Sequence, residues 1–288
     1  MNSALREVLT ERIDYAGLFP PAALPMSEAV ANYAAYRDGA DAWALARFVV
    51  PVVRLEELED AGALHFRGSP WRLSVLAQAS DADVIRAFNE RMDGLACADT
   101  VESRAATVDD VRALAPLTAV ATLYVEIPVQ DDPALLIAAL AAHGMRAKMR
   151  TGGVTAESFP TASQVARFLT ACAQQGVMMK ATAGLHHPLR GEYALTYDAT
   201  AIRGTMFGYL NVLLAATCAF QGVPASELVA LLEERTATAF RVSDAGITWR
   251  GHTLDTAALA RVRTDFAVSF GSCSFREPLD DLLALPLS

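Results

Sequence analysis

The fold is decided by residues 145–184, which read MRAKMRTGGVTAESFPTASQVARFLTACAQQGVMMKATAG. Each end of this stretch has a short apolar run, then a lysine, then a turn of small residues that includes glycine. Residues 163–175, between the two runs, are predicted to form a helix. A strand, a helix and a second strand joined by short links indicate two parallel strands with the helix outside them.

The same alternation recurs along the rest of the chain. Strands are predicted at residues 47–53, 71–77, 94–98, 119–128, 145–150, 177–182 and 266–270. Residues 239–250 form either one more strand or a hairpin. About eight strands alternating with helices predict an α/β fold of the (β/α)8 barrel type, with an irregular helical excursion after the sixth strand. An open doubly wound sheet is the alternative, but no G-x-G-x-x-G motif follows the first predicted strand.

The length of 288 residues suits one large domain. A hydrophobic fraction of 53% with 20% charged residues is typical of a well-buried core. Residues 1–288 are therefore predicted to form a single barrel domain, in which residues 1–40 are a cover of helix and loop. The loop is expected at Asp14–Pro21, because a glycine and two prolines interrupt regular structure there.

Charge and cysteine content argue against several classes of partner. The net charge of −9 gives no electrostatic footprint for nucleic acid and opposes binding to an anionic membrane. The apolar run 208–223 is too short to span a bilayer. Four scattered cysteines and an N-terminus unlike a signal peptide predict a cytoplasmic protein with reduced thiols. The expected partner is a small-molecule substrate, and the sequence is compatible with a homo-oligomer.

Lysine is rare in this chain. Among 24 Lys and Arg residues, only Lys148 and Lys180 are lysines, and both follow matching apolar runs. Arg keeps its charge permanently, whereas a desolvated Lys can lose its proton and act as a base or a nucleophile. The simpler interpretation is that both are ordinary cations at strand ends. Two lysines in matching contexts, with no third, favour a functional role.

The candidate site is expected at the carboxyl ends of the strands, where barrel enzymes carry their chemistry. The predicted catalytic residues are Lys148, Lys180, Glu126 and His186. The predicted substrate-binding residues are Arg150, Thr151, Gly152, Gly153, Thr182, Ser272, Cys273 and Ser274. If the two lysine strands are neighbours, both amines enter one barrel mouth, and clustered cations are expected to lower each other's pKa.

The two lysine motifs resemble those of a known enzyme family. Lys148-Met-Arg-Thr-Gly-Gly153 and Lys180-Ala-Thr-Ala-Gly184 are similar to the two lysine strands of the deoxyribose-phosphate aldolase group of class I aldolases. The resemblance covers about residues 145–185. It implies that Lys148 forms a Schiff base and that Lys180 tunes it. The family carries these lysines on its sixth and seventh strands, whereas the predicted count places them on the fifth and sixth.

The leading hypothesis is a Schiff-base lyase of the aldolase type that needs no cofactor and acts on a small, anionic carbonyl compound. An alternative is a metal-assisted lyase or isomerase, in which His186 and Glu126 bind one divalent ion and Lys148 polarises or deprotonates the substrate. A third hypothesis, from another class, is a non-catalytic protein that binds an anionic metabolite in the same barrel mouth.

Overall fold

The computed structural model describes residues 2–286, and eight of its strands close into a parallel barrel. The barrel strands are β1 (Ile13–Tyr15), β2 (Leu45–Pro51), β3 (Trp71–Leu76), β4 (Ala96–Arg104), β5 (Thr122–Glu126), β6 (Arg146–Arg150), β7 (Met179–Thr182) and β13 (Ala267–Ser272). Their order around the barrel is β1-β13-β7-β6-β5-β4-β3-β2, and every neighbouring pair is parallel. The predicted (β/α)8 barrel is therefore confirmed.

Twelve α-helices are present in residues 2–286. They are α1 (Ser3–Leu9), α2 (Met26–Asp38), α3 (Leu55–Gly62), α4 (Ala82–Arg91), α5 (Val108–Ala113), α6 (Ala115–Thr118), α7 (Ala134–Ala142), α8 (Ala162–Gln174), α9 (Tyr209–Phe220), α10 (Ala225–Leu232), α11 (Thr256–Asp265) and α12 (Arg276–Ala284). Within these residues, no helix is long and apolar enough to cross a membrane.

Helix α8, which connects the two lysine strands, illustrates how the local sequence sets the outer layer. Thr161 accepts a hydrogen bond from the backbone of Gln164, and the Gln164 side chain accepts one from the backbone of Thr161, which forms a capping box. Val165, Phe168 and Cys172 recur at helical spacing and are buried against the barrel. The cap fixes where the helix begins, and the apolar stripe fixes which face it presents to the sheet.

The predicted N-terminal cover is wrong in one respect. Ile13–Tyr15 is not loop but the first barrel strand, hydrogen-bonded to β2 on one side and β13 on the other. Three residues are too few to carry a periodic pattern, so the turn residues that follow dominated the prediction. With β1 counted, the lysines lie on the sixth and seventh barrel strands, and the excursion follows the seventh.

The excursion between β7 and β13 contains five further strands. A hairpin is formed by β8 (Gly191–Ala194) and β9 (Arg203–Met206), and an antiparallel sheet by β10 (Phe240–Ser243), β11 (Gly246–Trp249) and β12 (His252–Asp255). The hairpin predicted at residues 239–250 is therefore correct, with a third strand added, and the barrel-strand alternative is wrong. The final barrel strand is β13.

Candidate active site at the carboxyl ends of the barrel strands

Lys148 and Lys180 lie opposite each other on neighbouring strands. Strands β6 and β7 pair in parallel with Lys148 in register with Lys180. Both side chains are buried, with 5% and 1% of their residue surface exposed, and both reach the same carboxylate, Glu102 on β4. Because a strand of the parallel barrel places alternate residues on its inner face, both amines enter the interior. The two lysine strands are adjacent, parallel and in register, and both amines meet at Glu102.

Glu102 bridges the two lysines. Its Oε2 lies 2.6 Å from Nζ of Lys148, and its Oε1 lies 2.5 Å from Nζ of Lys180. Lys180 also contacts Asp14 Oδ2 at 2.6 Å. On the other side, Lys148 contacts Oε2 of Glu126 at 2.9 Å. Carboxylates and amines thus alternate across the barrel interior, and each lysine lies between two carboxylates.

Neutral donors fix two of these carboxylates. The Ser74 hydroxyl donates to Oε1 of Glu102 at 2.6 Å. The Ser269 hydroxyl donates to Oδ2 of Asp14 at 2.7 Å, and the backbone N–H of Arg47 donates to Oδ1 at 3.0 Å. Buried charges are tolerated when they are both paired and hydrogen-bonded, and these contacts meet both requirements.

The charge state of Lys180 differs from the expectation. Burial alone would lower the pKa of Lys180, but Asp14 and Glu102 outweigh burial and raise it above its ordinary value. Burial would likewise raise the pKa of Glu102, but Lys148 and Lys180 outweigh it and hold that pKa well below its ordinary value. The expectation that neighbouring cations lower the pKa of Lys180 is therefore wrong, because carboxylates separate the two amines.

Glu126 occupies the outer end of this row of charges. Its Oε1 lies 3.2 Å from Arg104 and 3.7 Å from Arg150, two largely exposed guanidinium groups at the rim. Burial would raise the pKa of Glu126, but Lys148 and Arg150 outweigh it, so the pKa is lowered. Its buried Oε2 is within ion-pair distance of Lys148 but has no aligned hydrogen-bond donor. That oxygen keeps the capacity to accept a proton.

A cavity of about 320 Å³ opens above the charged row. Its polar lining comprises Glu102, Arg104, Lys148, Arg150, Ser158, Thr182, His186 and Cys273, and Gly153 contributes backbone. Phe19, Pro20 and Pro21, in the loop after β1, close one side. Leu195 and Met206, from the segment that forms the β8–β9 hairpin, close another side. Lys148 lines the cavity, whereas Lys180 lies beneath it.

His186 belongs to a second polar cluster on the same cavity. Its Nδ1 lies 3.3 Å from Glu277 Oε2, 3.5 Å from Ser272 Oγ and 3.8 Å from Cys273 Sγ. Burial would lower the pKa of His186, but its contacts with Cys273 and Glu277 raise it to about 9. The neighbouring His187 instead pairs with Asp281 at 2.5 Å and stacks on Tyr193, so it packs the loop.

Four predicted substrate-binding residues serve the framework instead. Thr151 is buried, and its hydroxyl donates to the carbonyl of Ala183 at 2.6 Å, which ties the ends of β6 and β7 together. Gly152 allows close packing, since an added Cβ would lie 2.4 Å from the Phe159 ring. Ser274 accepts a hydrogen bond from the backbone of Glu277 at the start of α12. Ser272 is buried beside His186 and contributes no cavity wall.

Five site residues were not among the predicted ones: Asp14, Glu102, Arg104, Tyr197 and Glu277. Asp14 was assigned to a loop, and Glu277 follows a serine turn and precedes a proline, which indicated only a helix cap. Tyr197, which donates to Glu277 Oε2 at 2.9 Å, lies in the excursion. The only signal in the sequence concerned Asp14, which lies between Ile13 and Tyr15, because a polar residue in an apolar run often marks a site.

The metal-binding alternative has no cluster to support it in the described residues. Between residues 2 and 286, no group of three or more His, Cys, Asp or Glu side chains is arranged to hold a metal ion. The neighbours of Glu126 are the cations Lys148, Arg104 and Arg150, while His186 contacts Glu277.

The four cysteines are free thiols.

Comparison with known proteins gives a limited result. No family model matches the chain, and neither does any curated protein. Among solved structures, a lysine/ornithine decarboxylase from Vibrio vulnificus, crystallised with cadaverine, aligns with a TM-score of 0.42 and 11% sequence identity. The alignment covers 85% of this chain and 65% of the decarboxylase chain. This chain therefore spans slightly less than two thirds of that protein.

Proposed function

We propose that this protein is a lysine-dependent lyase of the aldolase type, in which Lys148 forms a Schiff base with a small, anionic carbonyl compound. One observation carries the proposal: Lys148 lines the cavity and lies 2.9 Å from a carboxylate oxygen with spare acceptor capacity. Lys180 is sealed beneath the cavity between Asp14 and Glu102, so it is not the nucleophile.

The two lysines have different roles in this proposal. Lys180 stays protonated, because its two carboxylates raise its pKa. Its fixed charge holds Glu102 in place against Lys148. An amine must give up a proton before it attacks a carbonyl carbon, and Oε2 of Glu126 is placed to receive that proton.

The proposed steps balance with the groups in the cavity. Lys148 Nζ bonds to the carbonyl carbon, and the carbon–oxygen bond breaks. The oxygen leaves as water with one proton from Nζ and the proton held by Glu126. The resulting iminium accepts the electron pair of the adjacent carbon–carbon bond when that bond breaks. Glu126, again a carboxylate, takes the proton of the hydroxyl group that becomes the new carbonyl.

The anionic character of the substrate is inferred from the rim. Arg104 and Arg150 line both the cavity and an adjoining groove of about 580 Å³. Both side chains are exposed. Arg104 contacts one oxygen of Glu126, and Arg150 contacts the same oxygen and donates to the carbonyl of Gly152, so donors remain for a ligand. Guanidinium groups bind carboxylates and phosphates through paired donors. A carboxylate or phosphate placed there would position the carbonyl of the same molecule towards Lys148.

The strand count gives independent support. The resembled aldolase group carries its two lysines on the sixth and seventh strands, and with β1 counted, Lys148 and Lys180 lie on the sixth and seventh strands of this barrel. Thr151 of the first lysine motif has a framework role, which departs from the simple substrate contact predicted for it.

We also assign the protein to the cytoplasm, because all four of its cysteines are free thiols, three of them buried.

The test is reductive trapping with a panel of aldehydes, ketones, 2-oxo acids and sugar phosphates. Borohydride should fix an adduct on Lys148, and mass spectrometry can locate it because the sequence contains only two lysines. Lys148→Arg should abolish the adduct while the protein stays folded. Arg241→Lys is the matched control, because it adds an exposed amine on the outer sheet that should not be trapped.

The other outcomes separate the alternatives. An adduct on Lys180, or equal labelling of the added lysine at position 241, would contradict the proposal. Activity that disappears with a chelator and returns with a divalent ion, without trapping, would favour the metal-assisted enzyme. Saturable binding of an anionic compound without turnover or trapping would favour the non-catalytic binding protein.

A further inference from the structure

Cys273 forms part of the cavity wall. It follows β13 directly and is buried, with 5% of its surface exposed, yet it lines the same cavity as Lys148. A buried thiol in an apolar pocket is chemically inert, because the environment disfavours the thiolate. The surroundings of this sulfur are polar, and they differ from those of the other three cysteines.

Three groups from separate elements converge on the Cys273 sulfur. His186 Nδ1, in the loop after β7, lies 3.8 Å away, and the hydroxyl of Tyr197 lies 3.5 Å away. The backbone N–H of Ala22, in the loop after β1, also helps to lower the pKa of the thiol. An imidazolium beside a sulfur stabilises the thiolate, as it does in enzymes with cysteine nucleophiles.

Glu277 holds the imidazole in position. Its Oε2 lies 3.3 Å from Nδ1 of His186 and accepts a hydrogen bond from Tyr197 at 2.9 Å. A nucleophile beside an imidazole is a common arrangement in covalent catalysis. Cys273 and Glu277 both contact Nδ1 of His186, and Tyr197 contacts both Cys273 and Glu277.

The charge states agree with this arrangement. Burial would raise the pKa of the Cys273 thiol, but His186 and Tyr197 outweigh burial and lower it. The other cysteines behave in the opposite way. Burial raises the pKa of Cys172, Cys218 and even the exposed Cys97.

We propose that Cys273 and His186 form a second reactive centre in the cavity, in which the Cys273 thiolate adds reversibly to the carbonyl carbon of a small aldehyde. The sulfur–carbon bond forms, and the electron pair of the carbon–oxygen double bond moves onto oxygen. The His186 imidazolium donates its proton to that oxygen, so the product is a neutral thiohemiacetal beside a neutral imidazole. The step uses no oxidant and no other co-reactant, and it does not involve Lys148.

The first experiment measures thiol reactivity with iodoacetamide at pH 7. Mass spectrometry follows alkylation at Cys273 and at Cys97, which serves as the exposed internal reference. Cys273 should react about tenfold faster than Cys97 or more, because an unperturbed thiol is only a few per cent thiolate at this pH. His186→Gln should remove that advantage. His252→Gln is the matched control, because it breaks the partly exposed contact between His252 and Glu227, which is remote in sequence from His186.

The second experiment tests aldehyde addition with propanal. Propanal should slow alkylation of Cys273 but not of Cys97, and the protection should persist in Lys148→Arg. Protection that disappears in Lys148→Arg would arise from the lysine and would overturn aldehyde addition at Cys273. Equal alkylation of Cys273 and Cys97, or a rate unaffected by His186→Gln, would overturn the thiolate–imidazolium pair. If His186→Gln does not fold, Tyr197→Phe takes its place, with slower alkylation supporting the proposal and an unchanged rate overturning it.

Discussion

Nζ of Lys180 lies 2.6 Å from Oδ2 of Asp14, a contact that links the first barrel strand to the seventh. Strand β13 lies between them, and its Ser269 hydroxyl donates to the same carboxylate oxygen. Strand β1 has only three residues. We infer that the buried ion pair between Asp14 and Lys180 holds β1, the shortest strand, in the closed barrel.

Asp14→Asn should therefore destabilise the fold strongly. The substitution leaves Lys180 with one carboxylate in a site that excludes water, and breaking a buried pair costs about 3–5 kcal/mol. Urea denaturation followed by circular dichroism measures the loss in the free energy of unfolding. Glu57→Gln is the matched control, because it breaks an exposed pair with Arg54 and should cost less than about 1 kcal/mol. Similar losses in the two variants would show that Asp14 does not hold β1.

The pH dependence of stability should have two limits. Glu102 has a pKa below its ordinary value of 4.5, so its contribution is complete above pH 4.5 and is lost as the pH falls towards the lowered pKa. Lys180 has a pKa above its ordinary value of 10.5, so its contribution is complete below pH 10.5 and is lost as the pH rises towards the raised pKa.

Comparison with Glu102→Gln isolates the acidic limit. The difference in unfolding free energy between the wild-type protein and this variant should stay constant from about pH 5.5 to 9.5 and shrink below pH 4.5. The reason is that protonated Glu102 and Gln carry the same charge. Denaturant titrations at a series of pH values provide the measurement. A difference that grows on acidification would contradict the assigned charge states.

The barrel and the pairing of its lysines were predictable because both depend on local patterns. Strands β6 and β7 are each preceded by apolar residues and are joined by a capped amphipathic helix, so their parallel pairing follows from the sequence between them. The position of β1 was not predictable in this way, because its partners β2 and β13 are recruited from distant parts of the chain.

The polar clusters were predictable only in part for the same reason. Lys148 and Glu126 were identified from their places at strand ends, which the barrel brings together. The contact between His186 and Glu277 joins residues about ninety positions apart through the excursion and α12, and no local pattern encodes it. The charge of Lys180 was wrongly predicted because it depends on Glu102 and Asp14, which lie on two other strands.

Glu126→Gln should slow chemistry at Lys148 without unfolding the protein. The amide cannot accept the lysine proton, and loss of a positioned general base typically costs about 10²–10⁴ in rate. The measurement is the rate of borohydride trapping at Lys148 with the best carbonyl compound from the panel. Glu157→Gln is the control, because Glu157 is an exposed carboxylate on the adjoining groove that should leave trapping unchanged. An unaltered trapping rate in Glu126→Gln would indicate that Glu102, and not Glu126, accepts the proton of Lys148.

Gly208→Ala should disturb the loop that carries His186. Gly208 precedes α9, and an added Cβ would lie 2.3 Å from the carbonyl oxygen of Pro188 and 2.4 Å from Cα of Leu189. Both atoms belong to backbone that cannot move cheaply, so the loop must shift, at a cost of about 1–3 kcal/mol in unfolding free energy.

The same variant should slow iodoacetamide alkylation of Cys273, because a shifted loop carries His186 away from the sulfur. Gly39→Ala is the control: Gly39 also has a negative φ, and an added Cβ there would meet its nearest atom at 3.3 Å, so stability should stay close to that of the wild-type protein. Thermal unfolding and the alkylation rate are measured on both variants. Loss of stability in Gly208→Ala with an unchanged alkylation rate at Cys273 would show that the loop contributes to stability but does not position the His186 imidazole.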